Sequence, residues 1–218
     1  MARILFVLTS HDRMLNGEPT GLWLEEFAVP YLAFTGAGHE VTVASVAGGA
    51  VPVDPNSKPS AEEAEAWAAP IALLADTPAL AAVDTTGYDA LFIPGGHGTV
   101  FDMPDNAALH DLILRMDGEG RIVAAVCHAP AVFAGLRRPD GTPFVAGRKV
   151  AAFTDAEEHA AHGVAKVPFL LETKLKELGA VHVPAEPWTS NAVRDGRLVT
   201  GQNPQSSAAA AALVLELL

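Results

Sequence analysis

The stretch Arg121 to Leu136, RIVAAVCHAPAVFAGL, decides the fold. Ile122 to Val126 is apolar, β-branched and alanine-rich with no polar interruption, the pattern of a strand buried on both faces in a parallel sheet. The run then stops abruptly. Pro130 suits the first turn of a following helix, where its missing N–H costs nothing, and Ala131 to Ala134 continue that helix until Gly135 closes it. Cys127, the only cysteine in the chain, therefore stands at a strand-to-helix turn. Ala125 and Ala129 flank it two positions either side, which is the small, any, nucleophile, any, small spacing of a nucleophile elbow, with cysteine for serine and alanine for glycine. A thiol there faces a helix N-terminus, whose partial positive charge favours the thiolate. His128 follows directly, and only a sharp turn lets such neighbouring side chains cooperate. A lone cysteine in an apolar run also fits a small buried hydrophobe. The adjacent imidazole and the helix-starting proline favour a reactive thiol.

Working outward, 218 residues of which half are hydrophobic are enough for one α/β domain spanning 1–218. Fourteen basic against 26 acidic residues leave a net charge of −12, which repels phosphate backbones and anionic membrane surfaces, so neither nucleic acid nor membrane is an expected partner. A single cysteine makes no internal disulfide and suits a reducing, cytoplasmic setting. The opening MARILFVLTS reads as a first strand, its apolar run too short for a membrane span or a secretory signal.

Strands are expected at Ile4–Leu8, Val41–Val46, Ala90–Ile93, Lys149–Phe153, Val181–Val183 and Leu198–Thr200, alternating with helices. Thr20 is placed to cap a helix from Gly21 to about Phe34, closed by Gly36, Ala37 and Gly38. Trp23, Phe27, Tyr31 and Phe34 share its inward face; Glu25 lies nearly opposite, whereas Glu26 sits at the margin and is the more buried carboxylate. Further helices are expected over Ala61–Leu74, Asn106–Met116 and Phe169–Leu178, and after Pro204. Pro94-Gly95-Gly96-His97-Gly98 follows the third strand, and glycines there let backbone amides approach an anion, although a plain tight turn has the same composition. Phe101 stands where a dinucleotide fingerprint needs its third glycine, and no phosphate loop ends in Gly-Lys-Ser/Thr, so no nucleotide cofactor is expected. Asp155, Glu157 and Glu158 cluster beyond the Lys149–Phe153 strand, where an acid could reach His128 or simply complement a helix dipole. His159 and His162 lack a third ligand and are expected to be exposed, with no metal. The alternation implies a three-layer α/β sandwich, a mostly parallel central sheet with helices on both faces.

Five stretches in register resemble the ThiJ/PfpI superfamily, of the flavodoxin-like, class I glutamine-amidotransferase-like fold. They are Thr20 to Glu26, Gly95 to Thr99, Ala125 to Pro130, Phe153 to Glu158 and Asp195 to Pro204, and they run through nearly the whole chain. The branch they most resemble is that of the glutathione-independent glyoxalases and heat-shock deglycases. The resemblance implies a catalytic set of Cys127 as nucleophile, His128 as general base and acid, Glu158 orienting the imidazole, and Glu26 as a protonated acid on the sulfur. Because the third member of the triad varies between Asp and Glu, Asp155 and Glu157 are alternatives to Glu158. Backbone amides of Gly96 and His128 would form the oxyanion site, with Gly95, His97 and Trp23 shaping the substrate pocket.

The implied reaction converts methylglyoxal or glyoxal to lactate or glycolate through a cysteine hemithioacetal, with deglycation of proteins or nucleotides open to the same thiol, and without metal or other cofactor. A homodimer is implied as well. The alternatives are a stress-response chaperone or redox-sensing protein, and a cysteine peptidase or amidase of the same superfamily.

Overall fold

The computed structural model describes residues 1–218. The elements in chain order are β1 (Arg3–Leu8), α1 (Leu24–Gly36), β2 (Glu40–Ser45), α2 (Ala61–Ala66), α3 (Ala68–Leu73), β3 (Ala90–Ile93), α4 (Thr99–Asp102), α5 (Ala107–Gly118) and β4 (Ile122–Val126). They continue with β5 (Lys149–Val150), α6 (Asp155–Ala160), α7 (Leu171–Glu177), β6 (Val181–His182), β7 (Ala192–Asp195), β8 (Leu198–Gly201) and α8 (Ser207–Leu217). Six strands form the central sheet in the order β2-β1-β3-β4-β8-β7, parallel throughout except for β7 against β8. This is the expected mostly parallel α/β sheet, and its doubly wound order reverses direction between β1 and β3, so the crevice lies beyond the carboxyl ends of the central strands. Every residue of β3 and β4 is buried, which requires cover on both faces.

Phenylalanines fasten α1 to that sheet. Phe6 of β1 packs against Phe27 and Phe34 of α1 with ring centroids 5.5 and 5.9 Å apart, and against Phe92 of β3 at 5.1 Å. All four rings are fully buried, each worth about 2–3 kcal/mol in removed apolar surface. The anchoring fixes where the first turn of α1 points, and Glu26 with it. No helix is long and apolar enough to cross a membrane.

Several elements depart from the sequence expectation for identifiable reasons. Thr20 does not cap α1. Residues 20–23 stay extended, with Leu22 bridging Val53 and the Thr20 hydroxyl donating to Asp54 at 2.8 Å, and the helix starts only at Leu24 without a side-chain cap. The single helix expected over Ala61–Leu74 is two, broken at Trp67, because Pro70 has no N–H for the Ala66 carbonyl and its ring crowds that turn. The segment after Cys127 is a six-residue 3-10 helix, Ala129–Ala134, and not an α-helix. The Lys149–Phe153 strand pairs only at Lys149 and Val150, in a separate two-stranded sheet with β6; beyond it the chain follows β8 and β4 singly, through Ala151 N–H to the Thr200 hydroxyl and Phe153 N–H to the Cys127 carbonyl. The antiparallel edge strand β7 was not anticipated.

Candidate active site

The carboxyl ends of β3 and β4 place two loops side by side, and the site is built where they meet. β4 ends at Val126, and Cys127 takes φ +61°, a left-handed conformation that costs a non-glycine residue about 1–2 kcal/mol. Its backbone is pinned on both sides: the N–H donates to the Gly201 carbonyl at 2.9 Å and the carbonyl accepts from Phe153 N–H at 3.0 Å. The strain is held by these bonds and turns the side chain out of the sheet. The sharp turn brings Sγ to 3.3 Å from Nδ1 of the very next residue, His128. On the far side of the ring, Nε2 lies 2.8 Å from Glu158 Oε2. Nε2 must carry the proton in that bond, since a carboxylate only accepts, and Nδ1 is left with a bare lone pair towards the thiol.

Glu26 reaches the sulfur from α1. It is fully buried; Oε2 accepts from Gly95 N–H at 2.8 Å, while Oε1 has no hydrogen-bond donor in place. The Cys127 thiol is the polar group beside this carboxyl. Burial raises the Glu26 pKa to about 8, outweighing the lowering effect of the Gly95 hydrogen bond and of the neighbouring Cys127, so the group is a neutral acid at pH 7. Glycine at 95 is a steric requirement, because a Cβ there would lie 2.5 Å from the Val126 carbonyl oxygen, 2.7 Å from Glu26 Oε2 and 2.9 Å from the His128 nitrogen.

Electrostatics differ from the expectation of a helix-stabilised thiolate. Burial first, then the neighbouring Glu26, push the Cys127 thiol well above its ordinary range, against a lowering contribution from Gly96 N–H. A six-residue 3-10 segment has too little aligned dipole to reverse this. His128 shifts the other way: burial and the nearby His97 lower it, so the ring is a neutral base. The resting pair is thus a neutral thiol hydrogen-bonded to a neutral imidazole. For Glu158, burial opposes ionisation, yet charge and hydrogen bonds from His128 and His97 outweigh it and hold the carboxyl well below the usual range.

A cavity of about 250 Å³ opens over the sulfur, with Cys127, His128, Gly96 and His97 among its lining and Trp23, Phe153 and Trp188 as apolar walls. Two backbone N–H groups beside the thiol, those of Gly96 and His128, donate to no backbone carbonyl. Such spare donors suit a developing oxyanion.

The family model for the DJ-1/PfpI family matches residues 20–217. The chain belongs to the DJ-1/PfpI family. Among its relatives, Glyoxalase 3 of Candida albicans is 32% identical over 95% of this chain and 94% of that protein. The glutathione-independent glyoxalase HSP31 of Saccharomyces cerevisiae is 31% identical over 94% of this chain and 93% of its own length. The crystal structure of glyoxalase III from Candida albicans superposes with a TM-score of 0.87 at 30% identity, covering 99% of this chain and 96% of that one.

Of the residues named from the sequence of this DJ-1/PfpI chain, Cys127, His128, Glu158, Glu26, Gly95 and Gly96 converge on one point, and Trp23 and His97 line the cavity above it. His97 also has a partner that the sequence did not indicate: its Nε2 is 2.9 Å from Glu158 Oε1. His97, His128 and Glu158 are close enough to hold a metal ion, but both Nε2 atoms are already bonded to the carboxylate, so the trio is satisfied as it stands. His159 and His162 are exposed. Asp155 turns away to Thr173.

Glu157 serves a different purpose from its neighbour. Fully buried, it accepts from Thr154 N–H and hydroxyl, Trp188 N–H, Gln202 Nε2 and Asn203 Nδ2, at 2.8 to 3.2 Å, and so ties the Trp188 wall to the start of α6 and the end of β8. Glu157→Ala would leave these donors unsatisfied and is expected to cost about 3 kcal/mol or more, read as a lower midpoint in chemical denaturation; a midpoint within error of wild type would contradict this role. Phe153 and Trp188 were invisible as site residues in the sequence, because only the loop arrangement carries them to the cavity; Glu157, an alternative triad acid in the sequence, holds that arrangement together instead.

Proposed function

We propose that this chain is a glutathione-independent glyoxalase that converts methylglyoxal to lactate and glyoxal to glycolate through a Cys127–His128–Glu158 triad. The observation that carries the reading is a sulfur at the floor of a cavity, 3.3 Å from an imidazole whose other nitrogen is held by a carboxylate. The full-length similarity to relatives bearing that activity in their names supports it.

Each step has a group in place. As Sγ adds to the aldehyde carbon, the thiol proton passes to His128 Nδ1 and the oxyanion rests on the Gly96 and His128 amides. His128 then gives that proton to the adduct oxygen, which makes a hemithioacetal and restores the neutral imidazole. His128 next removes the hydrogen on the former aldehyde carbon to give an enediolate, the hydroxyl proton of that carbon passes to the neighbouring oxygen, and His128 returns the abstracted proton to the adjacent carbon: the first carbon becomes a thioester and the second an alcohol. Water cleaves the thioester, releasing the hydroxy acid and the thiol. The net reaction is aldehyde plus water to hydroxy acid. Glu158 holds the Nε2 proton throughout, so that Nδ1 is the atom that takes up and returns protons, and Glu26 as a neutral acid donates to the sulfur when it becomes negative. The direct test is lactate formation from methylglyoxal by purified protein without glutathione; no lactate, with deglycation of an adduct or cleavage of an amide instead, would replace the reading. A homodimer and a cytoplasmic setting belong to the same reading, and light scattering tests the first.

Glu26 ties stability to pH. Its pKa in the folded chain, about 8, lies above its ordinary 4.5, so the folded state binds the proton more tightly. That contribution is complete below pH 4.5 and is lost as pH rises towards 8, at up to about 1.4 kcal/mol per pH unit. Glu26→Gln keeps a neutral group at every pH. It is expected to unfold at a higher temperature than wild type at pH 9, yet to lose about tenfold or more in kcat, because an amide N–H is a weaker donor to sulfur than a carboxyl O–H. Thermal scans at pH 6 and 9 check this; parallel pH dependence in the two proteins would contradict a neutral Glu26. In wild type the rate should fall as pH rises through about 8.

A further inference from the structure

We infer that Gly163 and His97 are positioning residues that aim the Glu158 carboxylate at His128, an inference that rests on the triad reading given above. Glu158 is a long side chain near the start of α6, and its carboxyl is nearly sealed from solvent, with 3% exposure. One hydrogen bond to His128 leaves such a group free to pivot. The second oxygen stops the pivot: Oε1 accepts from His97 Nε2 at 2.9 Å while Oε2 accepts from His128 Nε2 at 2.8 Å. The two imidazoles lie over one another with centroids 4.0 Å apart, so the carboxylate bridges a pair of rings already packed together.

Gly163 supplies the space for that bridge. A Cβ built at this position would lie 1.7 Å from Glu158 Oε1, 2.8 Å from its carboxyl carbon and 3.3 Å from His97 Nε2. The backbone here is not in the left-handed region, and the Gly163 N–H donates to the Glu158 carbonyl at 3.0 Å, an ordinary helix end. Conformation therefore does not call for glycine; the volume taken by Oε1 does. Because the clashing atom ends a flexible side chain, alanine is accommodated by swinging the carboxylate aside. The change should cost activity and spare the fold.

The experiment uses full-length wild type, Gly163→Ala, His97→Leu and His97→Gln. Thermal unfolding of Gly163→Ala should match wild type within a few degrees, while kcat for methylglyoxal falls about ten- to a hundredfold with little change in KM. His97→Gln, which keeps an N–H donor of similar reach, should retain more activity than His97→Leu. In nitrogen NMR of the histidine rings, wild-type His128 should show a single tautomer protonated at Nε2, and Gly163→Ala and His97→Leu should both lose it. The ring signal needs no turnover, so it decides the positioning even if the glyoxalase reading fails. Wild-type kcat and an undisturbed His128 signal in Gly163→Ala would overturn the inference, as would a lowered melting temperature with kcat per folded molecule unchanged.

Discussion

Replacing Cys127 with alanine is expected to take lactate formation from methylglyoxal below detection while the protein still folds. Loss of a catalytic nucleophile costs on the order of 10⁶ in kcat where it has been dissected in a serine triad, and no second cysteine exists here to substitute. The fold has little reason to respond. Both cysteine and alanine carry a Cβ into the left-handed conformation at φ +61°, so the backbone strain is the same before and after. The lost sulfur leaves a small gap beside Glu26 worth about 1 kcal/mol. Circular dichroism and a melting curve alongside the lactate assay separate the two effects. Retained lactate production by the variant would remove the sulfur from the mechanism.

Glu158→Gln is the second large effect, and it isolates orientation from bulk. The amide is nearly isosteric, yet each of its ends suits a different tautomer of His128. With its NH₂ turned to Nε2, the ring proton moves to Nδ1 and the lone pair facing the thiol at 3.3 Å disappears. The matching carboxylate-to-amide change in a serine triad costs about 10⁴ in kcat through that same wrong tautomer. A fall of roughly 10³ to 10⁴ is expected here, since His97 still restrains one end of the group. Single-turnover rates are the measurement. A loss under about tenfold would mean that the imidazole is held by its packing on Phe153, 4.2 Å between centroids, and not by the carboxylate.

The central strands were legible because their apolar runs are uninterrupted: Ile122–Val126 and Ala90–Ile93 have the same bounds in the sequence reading and in the structure. Glu26 was legible as the buried one of two adjacent carboxylates through helical phase alone, even though the start of its helix was misplaced by three residues, Gly21 against Leu24. What failed had tertiary causes. Thr20 has the composition of a cap, but a longer-range partner, Asp54, takes its hydroxyl. The edge strand β7 is short and half polar, and its one local signal is the Asp195-Gly196 turn into β8. The choice among Asp155, Glu157 and Glu158 cannot be made from spacing, because all three lie in the first turn of α6. The structure separates them by direction: Asp155 towards Thr173, Glu157 towards Trp188 and Asn203, Glu158 towards His128. Gly163 left no trace in the sequence at all, since its value lies in atoms it does not have.

The central claim is that substrate carbon becomes bonded to one sulfur on the way to product. Its most direct measurement is quenched-flow intact mass and peptide mapping of wild type with methylglyoxal, glutathione absent, with lactate quantified at each time point. The expected result is a transient adduct on the Cys127 peptide that decays at the rate lactate appears, with both lost after thiol alkylation. Lactate forming while the Cys127 peptide stays unmodified, or continuing after alkylation, would contradict it.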